Sequence, residues 1–485
     1  MSDEYDEALE LPDPRRRIFC DRTLNLRSIR AIGFDMDYTL VHYVVEEWER
    51  HAYEHLRGRL ATHGWPVAGT QFDPEMVRLG LVLDLEHGNI VKANRFGYVK
   101  RAMHGTRMLG YPEQRALYTR DLVDLGEPRW VFLNTFFSLS EACMYAQMVD
   151  RLDAGDIDGV MGYGRLYATI RSCLDEAHLE GQLKAEIVAN PDRFVVLDEE
   201  LPLALRDLRA SGKKLLLITN SEWSYTNAMM EYAFDRYLPD GMKWRDLFDM
   251  VIVSAGKPSF FEHRNPCFEV IDDEGRLLPA IAPEAGGRYL GGNAVMVEES
   301  LGLSGEEILY VGDHIFSDVR VSRSLLRWRT ALVLRALEDE IEAIEAFKPK
   351  QRALSGLMAD KERIEHQFSR LRLAKQRIEK GYGPRPSSNI AALDKRMRVL
   401  REQLTSLDAR IGPLAQEAGE LVNVRWGLLL RTGNDKSHLA RQIERYADIY
   451  MSRVSNHLAL TPFVYLRSPR GSLPHDHGPA GGVDV

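Results

Sequence analysis

The sequence predicts an α/β fold: a doubly wound, mostly parallel Rossmann-like sheet with a large inserted cap and a C-terminal helical hairpin. Three observations support this class. Short apolar runs alternate with helical segments. The first two runs lie too far apart for one crossover helix, and a heptad pattern follows the last run. At about 150 residues per domain, the 485 residues allow about three domains.

Five apolar runs are predicted to be strands of the sheet. Each is continuous rather than alternating, which is typical of strands buried on both faces of a parallel sheet. In chain order they lie within residues 28–37, 213–221, 248–257, 306–314 and 329–337.

The first two runs are separated by an insertion. Roughly 180 residues lie between Asp37 and Thr219, whereas a βαβ unit needs roughly 30. Within the insertion, the sequence indicates a β-hairpin turning near residues 94–97 and mainly helical structure over 140–184. Ligands of such folds bind at the carboxyl edge of the sheet, and we expect the insertion to cover that edge.

The apolar steps after the last strand alternate between four and three residues from Leu393 to Leu421, and a weaker series runs from Leu354 to Ile378. A cluster of helix-breaking residues over 381–389 separates them, which predicts an antiparallel hairpin. Pro413 is expected to kink or break the second helix. The hairpin is either an arm that mediates oligomerisation or docks a partner protein, or an intramolecular brace packed on the core. A heptad pattern alone does not show which surface it packs against.

These observations divide the chain into six parts. They are an N-terminal extension (1–24), a discontinuous core (25–41 and 201–340), the inserted cap (42–200), the helical hairpin (341–430), a C-terminal helix packing on the core (431–467) and a disordered tail (468–485).

Composition excludes several classes of protein. With 45% hydrophobic and 28% charged residues, the chain is neither collagenous nor wholly disordered. A net charge of −9 argues against a nucleic-acid polymer as partner. The four cysteines are scattered, which predicts free thiols rather than disulfides, and the sequence contains no Cys/His cluster that would bind zinc. The acidic N-terminus predicts no signal peptide, and no segment is apolar enough for a membrane span. Together these features predict a cytoplasmic protein.

Side chains that can act in catalysis or bind a metal ion follow four of the predicted strands. Two carboxylates at i and i+2 after a strand, such as Asp35 and Asp37, can act as nucleophile and as general acid and base. A hydroxyl with adjacent N–H groups can hold phosphoryl oxygens, an ammonium can neutralise charge, and further carboxylates suit Mg²⁺. The later strand ends supply Thr219, Asn220 and Ser221, then Lys257, then Asp313 and Asp318.

These motifs, in this order, resemble those of the haloacid dehalogenase-like hydrolase superfamily. The resemblance implies that Asp35 is the nucleophile and Asp37 the general acid and base, and that Thr219 and Lys257 hold the phosphoryl group. It also implies a Mg²⁺ site formed by Asp35, the backbone carbonyl of Asp37 and Asp313, with Asp318 in support.

The strings DMDYTL, ITNSEWSYT, KPSFF and GDHIFSD more closely resemble the cytosolic purine 5′-nucleotidase family, which acts on inosine and guanosine monophosphates (IMP and GMP). The likeness covers nearly the whole chain. It implies that Arg171, Asp175, His178 and Lys184 recognise the base and that Phe137 stacks on it. Arg171, Asp175 and His178 also fall on one helix face. The chain departs from the family pattern at Ser138 and Leu179.

The function expected from this resemblance is Mg²⁺-dependent hydrolysis of purine nucleoside monophosphates through an aspartyl-phosphate, with phosphotransfer to a nucleoside as a further implication. The family also implies a homo-oligomer, a dimer or tetramer, and a nucleotide effector. Positions resembling an effector site are Arg120, Asn134, Gln442 and Tyr446, while Ser324 stands where a basic residue is expected. The alternatives are a phosphatase acting on a sugar phosphate or phosphoprotein, and a non-catalytic assembly protein built on the hairpin.

Overall fold

The structure is a computed structural model that describes residues 12–179, 182–281, 283–284, 286–384 and 387–469. For residues 177–179 and 182 it describes the backbone alone. Most of the tail predicted to be disordered therefore lies outside the described residues, as does the start of the N-terminal extension. The chain forms two compact units, one containing the residues up to Glu338 together with Leu429–Pro469, the other containing Asp339–Leu428.

The strands are short, from two to six residues. In chain order they are β1 Ile18–Cys20, β2 Leu24–Asn25, β3 Ala31–Phe34, β4 His42–Tyr43, β5 Val82–Asp84, β6 Asn89–Ala93, β7 Val99–His104, β8 Arg107–Met108, β9 Trp130–Phe132, β10 Val195–Val196, β11 Lys214–Ile218, β12 Met250–Val253, β13 Cys267–Val270, β14 Leu277–Ala280, β15 Gly287–Gly291, β16 Ile308–Gly312, β17 Arg329–Val333, β18 Arg431–Thr432, β19 Asp435–Lys436, β20 Ile449–Met451 and β21 Tyr465–Leu466.

Helices lie between most of the strands. The α-helices span Val45–Thr62, Tyr111–Tyr118, Leu139–Asp153, Tyr163–Leu179, Gln182–Ala189, Pro191–Phe194, Leu201–Ala210, Trp223–Phe234, Ser259–Glu262, Ala294–Leu301, Val321–Leu326, Leu337–Lys380, Ile390–Glu420 and His438–Tyr446. Short 3₁₀ turns cover Pro14–Arg16, Leu26–Ser28, Phe136–Ser138, Asp235–Tyr237, Trp244–Leu247, Gly305–Glu307 and Val454–Ala459, and Ile315–Arg320 is π-helical.

One ten-stranded sheet forms the core of the first unit, in the order β1-β20-β17-β16-β3-β11-β12-β15-β13-β14. The strands from β20 to β15 run parallel. Every residue of β3, β12 and β16 is buried, as expected for parallel strands covered on both faces. Strand order reverses beside β3, because the chain continues to β11 on one side and later to β16 on the other. This topology confirms the predicted fold class.

Two regions of the sheet differ from the sequence prediction. A single helix over 431–467 is wrong: the helix covers only His438–Tyr446, and β20 follows it and pairs with β17 and β1. Strands β13 to β15 extend the other edge and were not predicted. Strands β13 to β15 are partly exposed, so they lack the continuous apolar run of a strand buried on both faces. Strand β20 has only three residues, and its partners β17 and β1 are distant in sequence.

The insertion builds its own antiparallel sheet, in the order β8-β7-β6-β5-β9. Strands β6 and β7 form the hairpin near residues 94–97. Its turn is held by the side-chain oxygen of Asn94, which accepts from the N–H groups of Phe96 and Tyr98 over 3.1 and 3.0 Å, and Gly97 adopts a φ of +90°. The helices Val45–Thr62, Leu139–Asp153 and Tyr163–Leu179 pack against one another beside this sheet.

The second unit is built on two antiparallel helices, Leu337–Lys380 and Ile390–Glu420. Ion pairs join Lys361 to Asp408 over 2.7 Å and Lys375 to Asp394 over 2.6 Å, so later residues of one helix face earlier residues of the other. Of the kink or break predicted at Pro413, the break is wrong, because the helix continues to Glu420. A proline in a helix interior costs roughly 3 kcal/mol. Leu407 and Ile411, which belong to the apolar heptad series, are buried, and their packing stabilises the helix before Pro413.

In the described part of the chain, no helix combines the length and the apolar character needed to cross a membrane.

Candidate active site

The four predicted motifs meet at the carboxyl ends of neighbouring strands. Asp35 and Asp37 follow β3, Thr219 follows β11, Lys257 lies beyond β12, and Asp313 follows β16. Together they line a crevice of about 280 Å³. Its lining comprises Asp35, Asp37, Trp48, Thr135, Phe137, Lys184, Thr219, Asn220, Ser221, Lys257, Asp313, His314, Ser317 and Asp318.

Asp35 is held where the chain leaves the sheet. Its N–H donates to the carbonyl of Val311 over 2.9 Å, which continues the pairing of β3 with β16 by one residue. Its Oδ1 accepts from the N–H of Met36 over 2.8 Å. The chain then turns sharply, with Tyr38 in the left-handed region at a φ of +55°, so that Asp37 returns to the same crevice.

Lys257 lies between two carboxylates. Its Nζ is 2.9 Å from Oδ1 of Asp35 and 2.8 Å from Oδ1 of Asp318, and it donates to the hydroxyl of Tyr310 over 3.0 Å. Burial acts to lower the pKa of Lys257, but Asp318 and Asp35 raise it well above its ordinary value. The residue therefore carries a fixed positive charge at the base of the crevice.

Asp37 is held by two hydroxyls rather than by a cation. Tyr43 donates to Oδ1 over 2.5 Å, and Ser221 donates to Oδ2 over 2.7 Å. The Tyr43 hydroxyl also lies 3.0 Å from that of Tyr225. Burial raises the pKa of Asp37, which suits a group that must be protonated in one step and ionised in the next.

Asp35, Asp313 and Asp318 form a cluster in which one carboxylate oxygen from each lies within 4.8 Å of the others. Gly312 permits this approach, because a Cβ there would lie 2.5 Å from Oδ2 of Asp318. Burial and mutual repulsion raise the pKa of Asp35 to about 6 and that of Asp313 well above its usual range. An all-oxygen cluster with more negative charge than Lys257 can neutralise fits a hard divalent cation such as Mg²⁺.

The residues after β11 are arranged around backbone groups. The N–H of Ser221 donates to Oγ1 of Thr219 over 3.1 Å. The side chain of Asn220 accepts from the N–H of Lys257 over 2.7 Å and donates to its carbonyl over 3.0 Å. Asn220 thereby fixes the loop that carries Lys257.

The predicted base-recognition residues divide into two groups. Phe137 and Lys184 line the crevice; Phe137 packs edge-on against Tyr38 at a centroid distance of 4.8 Å, and Lys184 donates to Ser221 over 3.2 Å. Arg171 and Asp175 are outside the lining. The side chain of His178 lies outside the described residues.

Arg171 has a partner that the sequence analysis missed. Its Nη1 lies 3.0 Å from Glu141, whose side chain is only 1% exposed, while its Nε lies 3.2 Å from Asp175. Burial raises the pKa of Glu141. Arg171 itself is half exposed. No local pattern could have identified Glu141, because it lies on a different helix.

Other lining residues were also missed. His314 directly follows Asp313 in GDHIFSD, and its Nδ1 accepts from the N–H groups of Phe316 and Ser317. Burial lowers its pKa to about 4, so the ring is neutral. Asn134, from the predicted effector positions, lies with Nδ2 3.4 Å from that Nδ1. Trp48 and Thr135 come from the insertion, where no motif marks them.

The fold and the crevice define the class of protein, a phosphoric monoester hydrolase of the haloacid dehalogenase-like type. Across residues 18–478 the chain matches the model of the 5′ nucleotidase family, and it belongs to that family. The human protein 5′-nucleotidase domain-containing protein 2 is 26% identical over 459 residues, which cover 90% of this chain and 81% of that protein. These matches confirm the predicted family and the predicted enzyme class.

Two solved structures show weaker similarity. A haloacid dehalogenase-like family hydrolase from Xanthomonas campestris is 12% identical, with 63% of this chain and 82% of that chain covered and a TM-score of 0.24. An archaeal β-phosphoglucomutase from Pyrococcus sp. strain ST 04 is 11% identical, with 63% and 86% covered and a TM-score of 0.29. Scores of this size support no conclusion about the substrate.

Proposed function

We propose that the protein is a Mg²⁺-dependent 5′-nucleotidase that hydrolyses purine nucleoside monophosphates, with IMP and GMP preferred, through an aspartyl-phosphate on Asp35. The observation that carries the proposal is the placement of Lys257 against Asp35 in a crevice at the carboxyl edge of the sheet. Family membership supports the nucleotide substrate.

The first step uses Asp35 as the nucleophile. Lys257 and the N–H of Met36 both contact Oδ1, which leaves Oδ2 to attack phosphorus. The bond from Oδ2 to phosphorus forms as the bond from phosphorus to the 5′ oxygen breaks. Protonated Asp37 delivers its proton to the leaving 5′ oxygen, so the nucleoside departs neutral.

The second step returns the enzyme to its starting state. Asp37, now ionised, removes a proton from a water molecule, and the water oxygen attacks phosphorus. The bond from phosphorus to Oδ2 of Asp35 breaks and releases inorganic phosphate. Tyr43 and Ser221 stabilise the ionised form of Asp37 through the hydrogen bonds they donate to it. A nucleoside hydroxyl in place of water would accept the phosphoryl group.

Asp35, Asp313 and Asp318 would hold the metal, with the backbone carbonyl of Asp37 as a further ligand. When bound, Mg²⁺ would offset the charge of the carboxylates and of the phosphoryl oxygens. Thr219 and Lys257 act on the same oxygens from the other strand ends, through a hydroxyl and an ammonium group.

The purine preference rests on the predicted base-recognition residues, of which Phe137 and Lys184 line the crevice while Arg171 and Asp175 lie outside its lining. Phe137 offers a ring for stacking. Arg171 and Asp175 supply a donor and an acceptor for the 6-oxo group and the ring N–H of hypoxanthine or guanine, and His178 and Lys184 belong to the same proposed set. The salt bridge to Glu141 fixes the guanidinium of Arg171 rather than leaving it free.

We further propose a homo-oligomer, a dimer or tetramer, and a nucleotide effector that acts near Arg120, Asn134, Gln442 and Tyr446, in a cytoplasmic setting. Support for the compartment comes from Cys20, Cys143, Cys173 and Cys267, all of which are free thiols.

A substrate panel tests the proposal. Phosphate release would be measured for 5′ monophosphates of inosine, guanosine, adenosine and cytidine, with inosine 3′-monophosphate and glucose 6-phosphate as controls. We expect the highest kcat/KM for IMP and GMP, loss of activity in EDTA and recovery with Mg²⁺. Highest activity on glucose 6-phosphate would favour the sugar phosphatase instead, and full activity in EDTA would contradict the metal assignment.

A further inference from the structure

A second cluster of metal-binding side chains lies outside the crevice. His51 and His55 are four residues apart on the helix Val45–Thr62, so their rings share one face. Glu186 reaches them from the helix Gln182–Ala189. One ligand atom from each of the three residues lies within 4.8 Å of the other two. No zinc site is predicted from the sequence, because it shows no Cys/His cluster; Glu186 is distant in sequence from the two histidines.

The distances suit a shared ion. Nε2 of His51 lies 2.8 Å from Oε2 of Glu186, and Nε2 of His55 lies 3.5 Å from Oε1. Two ligands each about 2.0–2.1 Å from a tetrahedral Zn²⁺ lie roughly 3.3 Å apart, so little movement is needed. The ring centroids of the two histidines are 4.7 Å apart and nearly perpendicular.

The two imidazoles are largely shielded from water, since the side chains of His51 and His55 are 14% and 23% exposed. Arg193, the neighbouring cation, is paired through its Nε with Glu47 over 2.8 Å.

We propose that His51, His55 and Glu186 form a second metal site, which binds Zn²⁺ through two imidazoles and one carboxylate. This donor set differs from the all-oxygen set of the crevice, and it selects a borderline transition metal rather than Mg²⁺. Three protein ligands leave a fourth position for water. A bound Zn²⁺ would link the helix Gln182–Ala189, which carries Lys184, to the helix Val45–Thr62.

Metal titration of the full chain, without an added histidine tag, tests this site. Co²⁺ serves as the spectroscopic probe, in excess Mg²⁺ to occupy the crevice. We expect one Co²⁺ per chain, with visible absorption typical of nitrogen ligation that Zn²⁺ abolishes by displacement. Zn²⁺ should also raise the midpoint of thermal unfolding, because it binds the folded protein preferentially.

Substitutions locate the ion. His55→Ala and Glu186→Gln should each weaken Co²⁺ binding at least tenfold and remove the Zn²⁺-dependent thermal shift. Matched controls are His63→Ala and Glu176→Gln, at exposed positions of the insertion, and His475→Ala/His477→Ala in the tail. Wild-type affinity in both His55→Ala and Glu186→Gln would overturn the proposal, as would loss of binding only in the tail variant or no binding by the unmutated chain.

Discussion

The ammonium of Lys257 lies 2.9 Å from Oδ1 of Asp35, although the two residues come from strands separated in the sheet by β11. The same ammonium lies 2.8 Å from Asp318, so one buried cation holds two buried carboxylates. The positive charge is therefore in place before a phosphoryl group enters.

Lys257→Met should reduce phosphate release at least 100-fold, because the variant lacks the charge that stabilises the transferred phosphoryl group. It should also lower the free energy of unfolding by about 3–5 kcal/mol at neutral pH, since two buried carboxylates lose their partner. Urea unfolding measures the second effect. Lys436→Met, which removes an exposed pair with Glu444, is the matched control and should cost no more than about 1 kcal/mol. Equal stability of the two variants would contradict the assigned role of Lys257.

Asp37→Asn should separate the two chemical steps. Hydrolysis of IMP should fall at least 100-fold, because its 5′ oxygen is a poor leaving group that needs a proton. With p-nitrophenyl phosphate, whose leaving group needs no proton, the first step should survive and the second should slow. Rapid mixing should therefore show a burst of one nitrophenol per enzyme followed by slow turnover. If the burst is missing while steady turnover of both substrates falls equally, Asp37 is not the acid and base.

Arg171→Ala should lower the ratio of kcat/KM for IMP over AMP roughly tenfold, in keeping with about 1–3 kcal/mol for an unsatisfied buried polar group. Hydrolysis of p-nitrophenyl phosphate should change little. Because the substitution also deprives the buried Glu141 of its cation, the double variant Arg171→Ala/Glu141→Gln should show the same loss of preference. Arg165→Ala, at an exposed position of the same helix, is the control. An unchanged ratio in both Arg171 variants would remove Arg171 from the recognition site.

Glu49 should make stability depend on pH. Its Oε2 accepts from the N–H of Ser140 over 2.7 Å, and burial raises its pKa from 4.5 to about 8. The folded state therefore favours the protonated acid. The stability contributed in this way is complete below pH 4.5 and is lost as the pH rises towards 8, by up to about 1.4 kcal/mol per pH unit.

Glu49→Gln isolates this effect, since a carboxamide does not ionise. Relative to the variant, the unmutated protein should become progressively less stable between pH 5 and pH 8, as measured by urea unfolding. Glu54→Gln replaces an exposed carboxyl on the same helix and serves as the control. A constant difference between wild type and Glu49→Gln across this range would show that Glu49 is ionised in the folded protein.

Five parallel strands of the core sheet, and the reactive side chains at the ends of four of them, could be predicted because each is marked by a short stretch of sequence. A buried parallel strand is a continuous apolar run, and Asp35, Thr219, Lys257 and Asp313 each lie within four residues of a strand end. Parallel strands align their carboxyl ends at one edge of the sheet, so the meeting of these residues followed from the topology alone.

Contacts between distant segments could not be predicted in the same way. The hydrogen bond from Tyr43 to Asp37 depends on how the chain turns after Tyr38, and the salt bridge of Arg171 with Glu141 joins two helices of the insertion. Strand β20 is three residues long and is stabilised by its pairing with β17 and β1 rather than by any period of its own. The hydrogen bond, the salt bridge and the strand all depend on contacts between segments that are distant in sequence, and no local sequence pattern indicates such contacts.

The most direct test of the account is phosphate release from IMP by Asp35→Asn in saturating Mg²⁺, with circular dichroism to verify folding. The carboxamide keeps nearly the size of the carboxylate but cannot form the acyl phosphate. We expect a folded protein whose turnover of IMP is at least 1000-fold below wild type. Turnover within tenfold of wild type would show that Asp35 is not the nucleophile and that the mechanism proposed for this crevice is wrong.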